Sequence, residues 1–132
     1  MVTMAAAAAG DAERCAAARR LLEPFGDHFV FNGTACFGSA WHYVALAATA
    51  AGDHEEADRW FQVASGAHTE LSAPALLALT KLEWAKALLR RRGPSDDIRA
   101  RVLLEDTLTI AHGLRLSVLE AESHRMLAGG IR

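Results

Sequence analysis

At 132 residues and 14.2 kDa the chain is long enough for one continuous core and has no room for a second large domain. Apolar residues make up 52%, yet no uninterrupted apolar run approaches the roughly 20 residues that span a bilayer, so no membrane segment is expected. Formal net charge is −2, with 14 bases against 16 acids, which excludes a whole-chain field that would draw in nucleic acid or an anionic membrane.

The chain starts Met1-Val2-Thr3-Met4 and continues with alanines from Ala5 to Ala9, without a basic segment or a long apolar core. A signal peptide is therefore not expected, and the cytoplasm is the expected location. Cys15 and Cys36 read as reduced, small core residues rather than a disulfide. Asp11 to Glu23 has the pattern of the second helix of a hairpin spanning 1–23, which leaves Val2 to Ala9 as its first helix.

Pro24 to Gly33, with Phe25, Phe29, Val30 and Phe31, is longer and more apolar than an ordinary helix connection. It is expected to pack back as an ordered loop with a short extended piece at His28 to Phe31. Phe25, His28, Phe29 and Phe31 are its candidate effector contacts.

Thr34 is placed to cap a helix running through Trp41 to Ala51, closed by Gly52 in a left-handed turn. Asp53 and Glu56 have capping-box spacing for the next helix, in which Ala57, Trp60, Phe61 and Ala64 form one apolar stripe. These two helices make a hairpin over 34–68.

Ser72-Ala73-Pro74 opens a long helix to Arg92, stopped by Gly93-Pro94, and Ser95 is expected to cap the return helix. In that helix Ala100, Leu103, Leu104, Thr107, Leu108 and Ala111 keep helical spacing up to Gly113, giving a hairpin over 72–113. Ser117 and Glu120 have the spacing of a further capping box, for a final unpaired helix over 117–128.

The turn segments repeat. Gly10-Asp11, Gly52-Asp53 and Arg92-Gly93 recur, with their glycines 42 and 41 residues apart. That period, with a helix on either side of each turn, predicts an all-α fold: an α-solenoid of antiparallel helical hairpins in a single domain over 1–132. Exposed apolar ends of such an array need covering by an adjoining domain or by a homodimer contact.

The middle hairpin resembles the tetratricopeptide repeat, on Trp41, the Gly52-Asp53 turn, Ala57, Phe61 and Ala64. It departs from that pattern at Thr69, where the repeat usually has proline, at Arg19, where the first hairpin lacks the aromatic, and in a period longer than about 34 residues. Leu21 to Leu116, including Leu22-Glu23-Pro24-Phe25, Glu56-Ala57 and Ala111-His112-Gly113-Leu114, is similar to the helical C-terminal region of actinobacterial signalling ATPases. In that group the repeats accompany a nucleotide cyclase or a helix-turn-helix domain. The resemblance implies a right-handed superhelix of about three repeats and a non-catalytic regulatory role.

No phosphate loop, His-Glu-x-x-His, Gly-x-Ser-x-Gly or Cys-x-x-Cys occurs, so no enzyme activity, cofactor or metal is expected. His54 and Asp58 stand four apart on one helix, and two ligands do not make a metal site. Arg90-Arg91-Arg92 reads as a cationic helix end favoured by the backbone dipole, and Trp41, Trp60 and Trp84 as core filling.

On the tetratricopeptide pattern, His42, Leu46 and Thr49, with Thr80, Glu83 and Arg90, would line a shallow groove for an extended or helical peptide. The expected function is a protein-interaction scaffold or sensor in a bacterial signalling or transcription regulator. Its partner would be a protein, a peptide or an adjoining domain, with no direct nucleic-acid or membrane contact. The alternative is a small-molecule or peptide effector site under the loop of residues 24–33.

Overall fold

The structure is a computed structural model that describes residues 11–129; the helix expected over Val2 to Ala9 and the Gly10 turn lie outside them. The fold is all-α with one small two-stranded sheet. Its contacts divide between Leu71 and Ser72 into two compact units, a boundary not placed by the repeat pattern.

The first unit contains α1 (Ala12–Leu22), a 3₁₀ turn (Glu23–Phe25), β1 (Phe29–Phe31), β2 (Cys36–Ser39), α2 (Ala40–Ala51) and α3 (His54–Glu70). Asp11 starts α1 by accepting the Arg14 backbone N–H at 3.0 Å. Helix α2 packs against both α1 and α3. It is nearly all apolar, with Ala40, Val44, Ala45, Ala47 and Ala48 buried, as a helix covered on most sides must be. Cys15 of α1 meets Ala47 and Ala50 of α2, where small side chains let the helices approach.

Gly52 takes φ +80°, and the Asp53 N–H closes on the Ala48 carbonyl at 2.9 Å, so the left-handed turn forms as expected. The Asp53–Glu56 capping box does not form. The Asp53 carboxylate instead accepts from Arg19 Nη1 at 2.6 Å, and Glu56 accepts from Trp60 Nε1 at 2.8 Å. Arg19 thus ties α1 to the α2–α3 turn.

The extended piece expected at His28 to Phe31 is present as β1, paired antiparallel with β2 across an irregularity between Val30 and Phe31. Thr34 does not cap α2. It sits in the connecting turn, where Asn32 Oδ1 accepts from the Thr34 N–H, the Thr34 hydroxyl and the Ala35 N–H. Helix α2 begins at Ala40, and Ser39 Oγ accepts the Trp41 N–H at 3.3 Å. Cys36 lies exposed on β2 rather than in the core, whereas Cys15 is buried; both are free thiols.

The second unit contains α4 (Pro74–Arg91), α5 (Asp96–Leu114) and α6 (Ser117–Gly129). Leu82, Ala85, Leu88, Ala100 and Leu104 form its core, with Leu119, Met126 and Leu127 of α6 packed against them. The final helix is therefore paired, contrary to expectation, and Lys86 of α4 reaches Glu122 of α6 at 2.7 Å.

Three helix ends also differ from expectation. Ser95 has φ +64° and makes no side-chain cap; the neighbouring Asp96 accepts the Gly93 N–H at 2.7 Å. Helix α5 runs past Gly113 to Leu114 and ends at Arg115, φ +57°. Ser117 is already helical, and Glu120 lies 3.3 Å from His112 rather than closing a capping box.

Asp96 is 1% exposed, and Arg91 grips both of its oxygens, Nε at 2.7 Å and Nη2 at 2.6 Å. Those hydrogen bonds hold its carboxyl below the ordinary carboxylate range. Its contribution is complete above the unfolded value of about 3.9 and is lost as pH falls through the lower folded value. Asp96→Ala is expected to destabilise the fold by about 3 kcal/mol, because it removes the two-pronged carboxylate partner of the mostly buried Arg91 and the acceptor for the Gly93 N–H. Denaturant melts at neutral pH would check this, and the gap between variant and wild type should narrow in strong acid.

Candidate functional site

An open concavity of about 500 Å³ lies in the first unit, between the hairpin segment and α3. Gly26, Asp27 and Phe29 line one side, Ser39 and Trp41 the base of α2, and Val63, Gly66, Ala67, Glu70 and Leu71 the α3 side.

An aromatic stack fixes this arrangement. The Trp41 and Trp60 rings lie 4.0 Å apart and 2° from parallel, with the Arg59 guanidinium 4.6 Å from the Trp60 ring centre. The Gly26 backbone packs onto Trp41 so closely that a Cβ there would stand 2.0 Å from Cζ2. Trp41 Nε1 points to Asp27 Oδ1 at 3.4 Å. The loop is thereby held on the helices by one indole, and only glycine fits at position 26.

Behind Ser39 lies a buried histidine pair. His68 Nε2 accepts the Ser39 backbone N–H at 2.8 Å, which ties the end of β2 to α3. His42 packs edge-on to Tyr43 and Phe61, with its ring 6.5 Å from that of His68. Burial, and then the neighbouring His68, pushes His42 down to about 4; burial also lowers His68. Both imidazoles are neutral near pH 7.

His42, expected in a peptide groove, is only 2% exposed, and Thr80 is fully buried at 0%. The cause is the position of Trp41: the indole takes the rim of the first unit, so the next residue of α2 turns inward. Leu46 and Thr49 are half-buried, the latter donating its hydroxyl to the Ala45 carbonyl at 2.9 Å. Glu83 is half-buried beside Lys86 at 2.7 Å, and Arg90 is exposed. His42, Leu46 and Thr49 belong to the first unit, and Thr80, Glu83 and Arg90 to the second.

The loop residues fare differently. Phe29 lines the cleft and lies 6.3 Å from the His68 ring, whereas Phe25 and His28 meet edge-on at 6.0 Å. Phe25 and Phe31 are 57% and 64% exposed. Asp27, Glu70 and Gly66 went unpredicted. Gly66 carried the usable signal, since glycine inside a helix costs about 1 kcal/mol relative to alanine, and here its Cβ position faces open space.

Among the described residues no group of three or more His, Cys, Asp or Glu side chains is placed to hold a metal ion, and no helix is long and apolar enough to cross a membrane. No known protein family, curated protein or solved structure matches the chain significantly.

The buried histidines make stability pH-dependent. An unfolded histidine takes up a proton near 6.5 and folded His42 only near 4, so stability is complete above about pH 6.5 and falls as pH drops toward 4. The loss from His42 alone is expected to reach about 3 kcal/mol by pH 4. In melts between pH 7.5 and 4.5, His42→Leu should show a shallower decline than wild type.

Proposed function

We propose that this chain is a non-catalytic, regulatory binding module whose working site is the cleft between the hairpin and α3, filled by a small effector. The observation that carries this reading is the cleft itself: its volume of about 500 Å³ lies within the roughly 300–1,000 Å³ of small-molecule sites. Its wall mixes apolar side chains with Asp27, Ser39 and Glu70, groups that could orient a ligand body held by the apolar ones. Loop residues and helix residues both line it, so a bound ligand touches two elements at once.

The resemblance to repeat regions of bacterial signalling and transcription regulators supports a cytoplasmic regulatory role, as do the two free thiols. The repeat reading, a right-handed tetratricopeptide-like solenoid of about three hairpins, belongs to the same proposal. Consecutive helices packing on one another within each unit support it. In this mechanism the effector favours the conformation in which the hairpin is closed on α3, and a partner protein or adjoining domain reads that population. A direct protein contact through the exposed Phe25 and Phe31 is the second reading, favoured by the size of those uncovered rings.

Gly66→Phe tests the main reading, because a side chain at this exposed position fills the cleft from α3 without meeting a neighbour at its Cβ. The low-molecular-weight fraction of a bacterial extract is expected to raise the melting temperature of the wild type by several degrees. A ligand at about 100 times its Kd adds about 2.7 kcal/mol. The variant should melt normally and show no such rise. Equal shifts in both proteins would move the binding site elsewhere.

A further inference from the structure

We propose that the cleft selects a small organic cation: an amine or quaternary ammonium carried on an apolar body of about one ring. This rests on the cleft being the working site, and it deepens that reading by naming the ligand's chemistry.

The charged residues lining the cleft are Asp27 and Glu70, both acidic, and neither lysine, arginine nor histidine lines it. Ionised carboxylates only accept hydrogen bonds, so the charged groups offered to a ligand are acceptors. Both carboxylates are exposed, and a ligand anion would meet two like charges, whereas an ammonium supplies the opposite charge and donors for the carboxylate oxygens that Trp41 leaves open. The remaining wall is Phe29, Trp41, Val63, Ala67 and Leu71, with the uncharged Ser39 at its base and with Gly26 and Gly66 adding no side chain. That surface suits a hydrocarbon or aromatic body.

The neighbouring groups leave the negative field in place. His68, which accepts the hydrogen bond from Ser39 behind the cleft, is uncharged near neutral pH and so offsets neither carboxylate. Arg59 pairs with Glu56 at 3.6 Å and lies over Trp60, outside the lining. Trp41 is engaged by Gly26 and Trp60. Charge selection therefore rests on the carboxylates, with the 38% exposed Phe29 as the aromatic contact. The volume of about 500 Å³ accommodates a ring with a short chain.

The test uses three probes of similar size and different charge: 2-phenylethylamine, 2-phenylethanol and 3-phenylpropionate. Binding to the wild type, to Asp27→Asn/Glu70→Gln and to Gly66→Phe is measured by calorimetry, and circular dichroism checks that the variants are folded. The amine is expected to bind at least about tenfold more tightly than either other probe, a difference of about 1.4 kcal/mol. Added salt should weaken it. The double variant should lose the preference, and Gly66→Phe should lose binding altogether.

Three results would overturn the proposal: equal or reversed preference, a preference that survives in the double variant, or no amine binding at millimolar concentration. Gly66-sensitive binding of the alcohol or the carboxylate would remove the cation selection and leave the cleft as the working site. Binding that ignores Gly66→Phe would remove both.

Discussion

Trp41 is held between the Gly26 backbone and the Trp60 ring, and the first unit is organised around that indole. The segment after α1 carries Phe25, Phe29 and Phe31, all of which stay exposed, so it is held by the contact of its backbone with the indole and not by burial of its own rings. The 3₁₀ turn brings Gly26 over the indole, and the absence of a Cβ lets backbone and ring touch. Once that contact is made, the chain leaves the helices at a fixed point and direction. The hairpin then returns to α2 at Ser39, where His68 receives the backbone N–H. The cleft is the space left between a loop pinned at Trp41 and a helix, α3, that carries glycine and alanine at the facing positions.

The two units join their helices by different physics. In the first, an aromatic stack and a neutral histidine hold the irregular segment, and burial keeps both imidazoles uncharged. In the second, the α4–α5 connection is held by the Arg91–Asp96 fork around the Gly93 N–H. A buried ion pair contributes little net stability beyond a well-packed apolar alternative, but its geometry is demanding, so it fixes one turn conformation against others. That explains why Arg92 and Ser95 tolerate positive φ without being glycine: the fork over-determines the turn.

Helix existence was legible from local rules, and helix ends were less so. The Gly52 turn, the Pro74 start and the Ala57–Trp60–Phe61–Ala64 stripe depend on neighbours within a turn or two, and each is present. The capping box at Asp53 fails because its carboxylate goes to Arg19, a residue 34 positions earlier that no local pattern ties to it. Ser95 fails as a cap because Asp96 beside it bonds the turn more strongly with an ionised group. The tetratricopeptide pattern puts His42 on a groove, and α2 is so rich in alanine that its periodicity defines no solvent face to oppose that placement. Strand β2, four residues with a glycine, is too short to announce itself, and it exists through its pairing with β1. The cleft was the least legible feature: Gly26 to Phe29 and Val63 to Leu71 share no motif, and only the folded chain brings them together.

On the proposed reading, regulation would draw on the unequal burial of the elements that line the cleft. Helices α2 and α3 carry most of the buried residues of the first unit, whereas Phe29 and Phe31 of β1 and Phe37 of β2 are exposed, so the hairpin has little apolar burial to hold it. Its ties to the helices include the Trp41 contact and individual hydrogen bonds: Ser39 N–H to His68, the Tyr43 hydroxyl to the Phe37 carbonyl and the Ala40 N–H to the His28 carbonyl. A ligand that touches Phe29 on the hairpin and Val63 or Leu71 on the helical side adds contacts that exist only when the hairpin is closed. Such a ligand has different affinities for the closed and open forms, which is the condition for shifting the population between them. A ligand held by α3 alone would bind both forms equally and transmit nothing, however tightly it bound. On the proposed reading, a cation held between Asp27 of the loop and Glu70 at the end of α3 would bridge the two elements that line the cleft.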